Sequence, residues 1–166
     1  MPAGINQEVS LEYREKSMPS RKRIALVAHD HKKPELLAWA KRHRDALATH
    51  ELVATGTTGA LLEKEAKLTV ERVLSGPLGG DLEIGAAIAT GEIDCLIFFW
   101  DPLAAQPHDP DVRALLRVSV VWNIPVVSNM ASADFLMSSP FMAGEYRRQV
   151  PDYEERVRKD WPLRAG

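Results

Sequence analysis

The chain has 166 residues, 45% hydrophobic and 27% charged, with a formal net charge of −2, the profile of one ordinary soluble domain with enough apolar material for a real core. That balance offers no basic surface for nucleic acid or for an acidic membrane. No apolar run approaches the roughly 18 residues of a membrane span, and Cys95, the single cysteine, excludes an intrachain disulfide. Residues 1–20 carry charges throughout and lack the apolar centre of a signal peptide, so the expected compartment is the cytoplasm.

In chain order, residues 1–20 read as a flexible polar extension, and the ordered domain is expected to begin near Arg23. Ile24-Ala25-Leu26-Val27-Ala28 is a continuous apolar run, as in a strand buried on both faces. His29-Asp30-His31 ends it. Pro34 suits a first helical turn, and Leu36, Leu37, Trp39, Ala40, His43 and Leu47 recur at helical spacing, which predicts one helix to about Thr49. His43 and His50 are expected at the surface. Glu51 to Thr55 predicts a second strand, Ala60 to Lys67 a short helix, and Val70 to Leu74 a third strand. Ile84, Ala87 and Ile88 predict a helix stopping before Gly91, and Asp94 to Trp100 is the clearest strand, with Cys95 a buried thiol inside it. Asp111 can cap a helix running to Trp122. Pro125-Val126-Val127 reads as the last strand, Ala133 to Ser138 as a short helix, and Tyr153 to Arg158 as a surface helix. Strands and helices alternating at this spacing predict an α/β fold: a single doubly wound domain over residues 21–155 around a central parallel five-stranded sheet, with residues 156–166 a charged tail.

Special residues gather at the strand ends, where ligands bind in such sheets. Thr55-Gly56-Thr57-Thr58-Gly59 feeds a helix start, where free N–H groups and the helix dipole favour an anion; the bland alternative is a capped Gly/Thr turn. It is not a P-loop, lacking the Gly-Lys-Ser/Thr ending. Ser75-Gly76-Pro77-Leu78-Gly79-Gly80-Asp81 is a second Gly-rich turn, and Asp81 is either a helix N-cap or a carboxylate base facing a pocket. Phe98-Phe99-Trp100-Asp101-Pro102-Leu103 followed by Pro107-His108-Asp109-Pro110-Asp111 sets a His among acids on a proline-stiffened loop. His29 ends the first strand, with Lys33 four residues on as a point charge for phosphate. His29, His108 and the carboxylates are scattered over loops without the paired spacing of a metal site, so no metal is assigned.

Taken together these segments closely resemble the methylglyoxal synthases, over about residues 21–155, and the Phe98 to Asp111 segment is specific to that family. The resemblance implies a lyase that converts dihydroxyacetone phosphate into methylglyoxal and inorganic phosphate with no metal or organic cofactor. By that match Asp81 is the catalytic base, His29 and His108 meet the substrate's oxygens, and Asp101 and Asp111 are further acidic positions of the site. Lys33, Thr55, Gly56, Thr57, Thr58, Ser75 and Gly76 bind the substrate, chiefly through its phosphate. It also implies a homohexamer and phosphate as allosteric inhibitor. The family can carry an arginine in the C-terminal tail that reaches a neighbouring subunit's site; the aligned position here is Asp160, and Arg156 or Arg158 are the candidates to replace it. Two alternatives stand beside this reading. A non-catalytic effector-binding domain of the same fold needs the cradle but not Asp81, Asp101, His108 and Asp111 together. A sugar-phosphate isomerase uses the same base and electrophile but keeps the phosphate.

Overall fold

The computed structural model describes residues 12–160 of the chain, with side chains to residue 158. Five parallel strands form the central sheet in the order β4 (Glu71–Val73), β3 (Glu51–Thr55), β2 (Arg23–Ala28), β5 (Cys95–Phe99), β6 (Val126–Val127). Alternation along β2 and β5 sends successive side chains to opposite faces. Ile24, Leu26, Cys95, Ile97 and Phe99 meet α1 (Lys33–Arg42), α2 (Arg44–Leu47), α3 (Gly56–Ala66), α6 (Met130–Ser138) and α7 (Pro140–Ala143). Ala25, Val27, Leu96 and Phe98 meet α4 (Gly80–Ala89) and α5 (Asp109–Val121) on the other face. Two fully apolar strands need two helical layers, and the doubly wound arrangement expected from the sequence follows. Cys95 is buried, and burial pushes its thiol up to about 12, leaving it inert.

The chain departs from the expected organisation at its start. Residues 13–18 are not a loose extension: β1 (Tyr13–Met18) pairs antiparallel with β7 (Tyr146–Pro151), a strand that the apolar pattern did not reveal. The ladder is made by backbone groups, and its outer face by charge pairs such as Arg14–Asp152 at 2.6 Å and Glu15–Arg147 at 3.5 Å. Met18 buries its side chain, and Lys22 donates to the carbonyls of Pro19 and Gly144 at 2.8 Å each, which fastens the ribbon to the domain. The extension expected over residues 1–11, and the tail over 161–166, lie outside the described residues; residues 156–160 belong to α8 (Tyr153–Asp160).

The long first helix also breaks. His43 leaves helical geometry with φ −102° and ψ 15°, and α2 starts anew after it. Asp134 meets the chain at this point, its carboxylate accepting from His43 Nε2 at 2.7 Å and from Trp39 Nε1 at 3.1 Å. His50, expected at the surface, is buried and accepts the Lys22 N–H at Nδ1, 3.0 Å away.

Arg148 lies on the inward face of the ribbon, only 3% exposed, and its Nε and Nη1 have no hydrogen-bond partner. Burial pulls its pKa down, opposed by the charge of Asp94. Asp94 is half-exposed and already holds the Arg23 N–H at 2.8 Å, so removing the guanidinium strands no buried carboxylate. Arg148→Met is therefore expected to raise unfolding stability, by about 1 kcal/mol, read from the midpoint of a urea titration.

Candidate active site

The carboxyl ends of β2, β3, β4 and β5 deliver the groups that the sequence singles out. A small cleft of about 60 Å³ opens there, lined among others by His29, Lys33, Thr55, Thr57, Ser75, Gly76, Asp81 and His108. Larger hollows exist, about 510 Å³ beside the ribbon and α8 and about 570 Å³ at the amino end of β3. The first has no imidazole, and in the second His50 accepts the Lys22 N–H and makes no ion pair with Glu51 or Glu71, so chemistry rather than size marks the site.

Two glycines let the cleft close up. A Cβ on Gly76 would stand 3.0 Å from His108 Nε2 and 3.4 Å from Asp81 Oδ2, so a side chain there would crowd both the carboxylate and the imidazole. A Cβ on Gly80 would meet the Leu74 carbonyl oxygen at 1.8 Å, so α4 can begin against the end of β4 only with glycine. That start sets Asp81 in the first helical turn. The N-cap is Gly79, so Asp81 is not a cap: both its oxygens are buried without a hydrogen-bond partner. Its nearest counter-group is His108 Nε2 at 3.4 Å. Burial raises the Asp81 pKa, the charge of Asp111 adds to that, and His108 opposes it only when the ring carries a second proton.

His29 has a fixed tautomer. The backbone N–H of Asp101 donates to its Nδ1 at 3.0 Å, so the neutral ring carries its proton on Nε2. That Nε2 is buried and has no partner. Burial, with His108 next, lowers the His29 pKa from its ordinary 6.5, which keeps the ring neutral at pH 7. An unpaired N–H donor and an unpaired carboxylate thus share one cleft, the arrangement a carbon acid needs: a base for the proton and a donor for the oxygen that gains charge.

The other side of the cleft can hold an anion. Lys33 Nζ is steered by Asp30 Oδ1 at 2.5 Å and by Thr57 Oγ1 at 2.6 Å. Helix α3 starts at Gly56, inside the Thr/Gly turn rather than after it, with no side-chain cap. Its first-turn N–H groups are left for a ligand. Gly56 N–H is taken by the Leu74 carbonyl at 3.3 Å.

A family model described as the MGS-like domain matches residues 35–128. The methylglyoxal synthase of Cellvibrio japonicus is 55% identical over 143 residues, covering 86% of this chain and 93% of that protein. The methylglyoxal synthase of Saccharophagus degradans is 59% identical over 147 residues, 86% and 96% of the two chains. The chain belongs to the methylglyoxal synthase family. A crystal structure of methylglyoxal synthase from Elizabethkingia anophelis agrees in fold, with a TM-score of 0.83 at 53% identity, over 87% of this chain and 95% of that one.

Not every residue expected at the site reaches the cleft. Thr58 is fully buried beneath it, accepting from Thr55 Oγ1 at 3.5 Å, and Gly56 lies behind its wall against Ser75 N. Asp101 is buried behind His29, its Oδ1 accepting the Leu103 N–H at 3.0 Å. Asp111 stands half-buried in the first turn of α5, where the N-cap is His108 rather than Asp111, and it reaches Asp81 through its charge. Among the described residues, no group of three His, Cys, Asp or Glu could hold a metal ion. Two polar lining residues were missed by sequence reasoning, Asp30 and Gln106. Asp30 was visible at i,i+3 from Lys33; Gln106, in Ala104-Ala105-Gln106-Pro107, carries no sequence signal of chemistry.

Proposed function

We propose that this protein is a lyase converting dihydroxyacetone phosphate to methylglyoxal and inorganic phosphate without a metal or organic cofactor. The observation that carries the reading is the unpaired His29 Nε2–H sharing a cleft with the unpaired, partly basic Asp81, in a chain of this family. Asp81 takes a proton from the hydroxymethyl carbon, forming an enediolate. His29 Nε2–H donates to the former carbonyl oxygen as it gains charge, and being neutral it keeps that donor throughout. The hydroxymethyl oxygen then gives up its proton towards His108 and becomes the aldehyde oxygen. The carbon–carbon double bond shifts by one position, and the bridging C–O bond to phosphate breaks with its electron pair. The enol so formed gains a proton at its terminal carbon to give the methyl group of methylglyoxal.

Elimination needs that C–O bond perpendicular to the enediolate plane, so its antibonding orbital overlaps the π electrons. Lys33, Thr55, Thr57, Ser75 and Gly76, with the first-turn N–H groups of α3, bind the phosphate and hold that angle. Gly56 and Thr58 shape the turn. Asp101 orients His29 through its backbone N–H, and Asp111 helps to keep Asp81 basic. The protein works in the cytoplasm as a homohexamer with inorganic phosphate as inhibitor; family membership supports both, and exposed Leu103, Val120 and Phe135 supply apolar surface for assembly. In a test with dihydroxyacetone phosphate and no added metal, inorganic phosphate is expected to appear. Glyceraldehyde 3-phosphate without free phosphate would make the protein an isomerase, and binding without turnover an effector domain.

A further inference from the structure

We propose that Gln106 is a substrate-binding residue, donating from its side-chain amide to the hydroxymethyl oxygen of dihydroxyacetone phosphate and so selecting the ketose; this rests on the lyase reading above. The residue lines the cleft and is half-buried, and no hydrogen bond engages its amide among the described residues. Its backbone is held firmly. Gln106 N–H donates to Asp109 Oδ1 at 3.3 Å, and Asp109 N–H donates back to the Gln106 carbonyl at 3.2 Å. This reciprocal pair, at the start of α5 and followed by Pro107, fixes where the side chain enters the cleft. An amide at the cleft with no protein partner is free to meet a ligand there.

The substrate's own inventory says which partner. The phosphate meets Lys33, Thr57 and the first turn of α3. The carbonyl oxygen meets His29 Nε2–H. The carbon-bound proton faces Asp81, and His108 Nε2 stands beside that carboxylate at 3.4 Å as acceptor for the hydroxyl proton. The hydroxymethyl oxygen is left needing a donor. Gln106 lines the same cleft and lies two residues before His108 on the same loop, which ties it to the imidazole that takes the hydroxyl proton. An amide N–H suits this oxygen better than a cation, because it binds without protonating the hydroxyl or neutralising Asp81.

The test compares three ligands in wild type and Gln106→Ala. Dihydroxyacetone phosphate has the hydroxyl; hydroxyacetone phosphate, used as a competitive inhibitor, lacks it; inorganic phosphate reports the cradle alone. Gln106→Ala is expected to raise KM for dihydroxyacetone phosphate about tenfold, the effect of one hydrogen bond to a ligand group. The inhibition constants of hydroxyacetone phosphate and inorganic phosphate should stay unchanged. An unchanged KM, or inhibition constants that rise in parallel with it, would overturn the assignment while leaving the lyase reading intact. Absence of turnover in the wild type would overturn both.

Discussion

Asp81→Asn is expected to lose about 10²- to 10⁴-fold in kcat, the usual contribution of a positioned general base, while inorganic phosphate still binds. The amide keeps the shape of the carboxylate but cannot accept a carbon-bound proton. The same substitution is expected to leave the protein at least as stable as wild type at pH 7, because it removes a buried charge whose oxygens have no partner. The pH dependence gives the sign. The folded-state pKa of Asp81 is raised above its ordinary 3.8, so wild type gains stability as pH falls through that raised value towards 3.8. The advantage of Asp81→Asn therefore shrinks in acid. Turnover follows the opposite course: kcat/KM of the wild type declines as pH falls through the same raised value, when the base takes up a proton. His29, with its pKa lowered below 6.5, adds no loss near neutrality. Melting curves and rate profiles of both proteins across acid pH check the pair of signs together.

Gly80→Ala is expected to do more harm than its single methyl suggests. The added Cβ would lie 1.8 Å from the Leu74 carbonyl oxygen, a backbone atom that no rotamer change can move. Relief requires the start of α4 to shift from the end of β4, losing about 1–3 kcal/mol of stability, in the range of overpacked core sites. Asp81 is the next residue, and a shift on the order of 1 Å at a reacting group costs about 10²-fold in rate. The variant should therefore lose both stability and kcat, whereas Asp81→Asn loses kcat alone. Urea unfolding and steady-state rates on one preparation separate the two.

The parts of this molecule that were legible in the sequence are those with a one-dimensional signature. β2 and β5 are continuous apolar runs because both faces are covered, and the groups at their ends, His29 and Asp101, stand where such strands put ligand contacts. The ribbon was not legible. β1 and β7 are polar on their outer face and joined by backbone hydrogen bonds, which composition does not record; the inward side chains of β7 include an arginine, Arg148, which reads as surface. The helix break at His43 falls at no glycine or proline, the residues that mark such breaks in a sequence. At the site, the residue types were readable and their roles less so. Asp81 fits a helix-cap pattern, yet the N-cap is Gly79, so the helix starts two residues earlier and the close approach at Gly80 holds that start. Asp101 and Asp111 read as further acidic positions of the site, yet neither lines the cleft: Asp101 lies behind His29 and Asp111 in the first turn of α5. Gln106 was invisible because an isolated amide between alanine and proline has no signature apart from its surroundings.

The most direct test of the account uses dihydroxyacetone phosphate carrying two deuterium atoms on the hydroxymethyl carbon, incubated with the wild-type protein in ordinary water. Products are followed by mass spectrometry with parallel phosphate determination. Proton abstraction by Asp81 followed by elimination predicts methylglyoxal with one deuterium, on the aldehyde carbon, and an equal amount of inorganic phosphate. Release of phosphate with both deuterium atoms retained in dihydroxyacetone would mean hydrolysis without an enediolate, and would contradict the assignment of Asp81 as a carbon base.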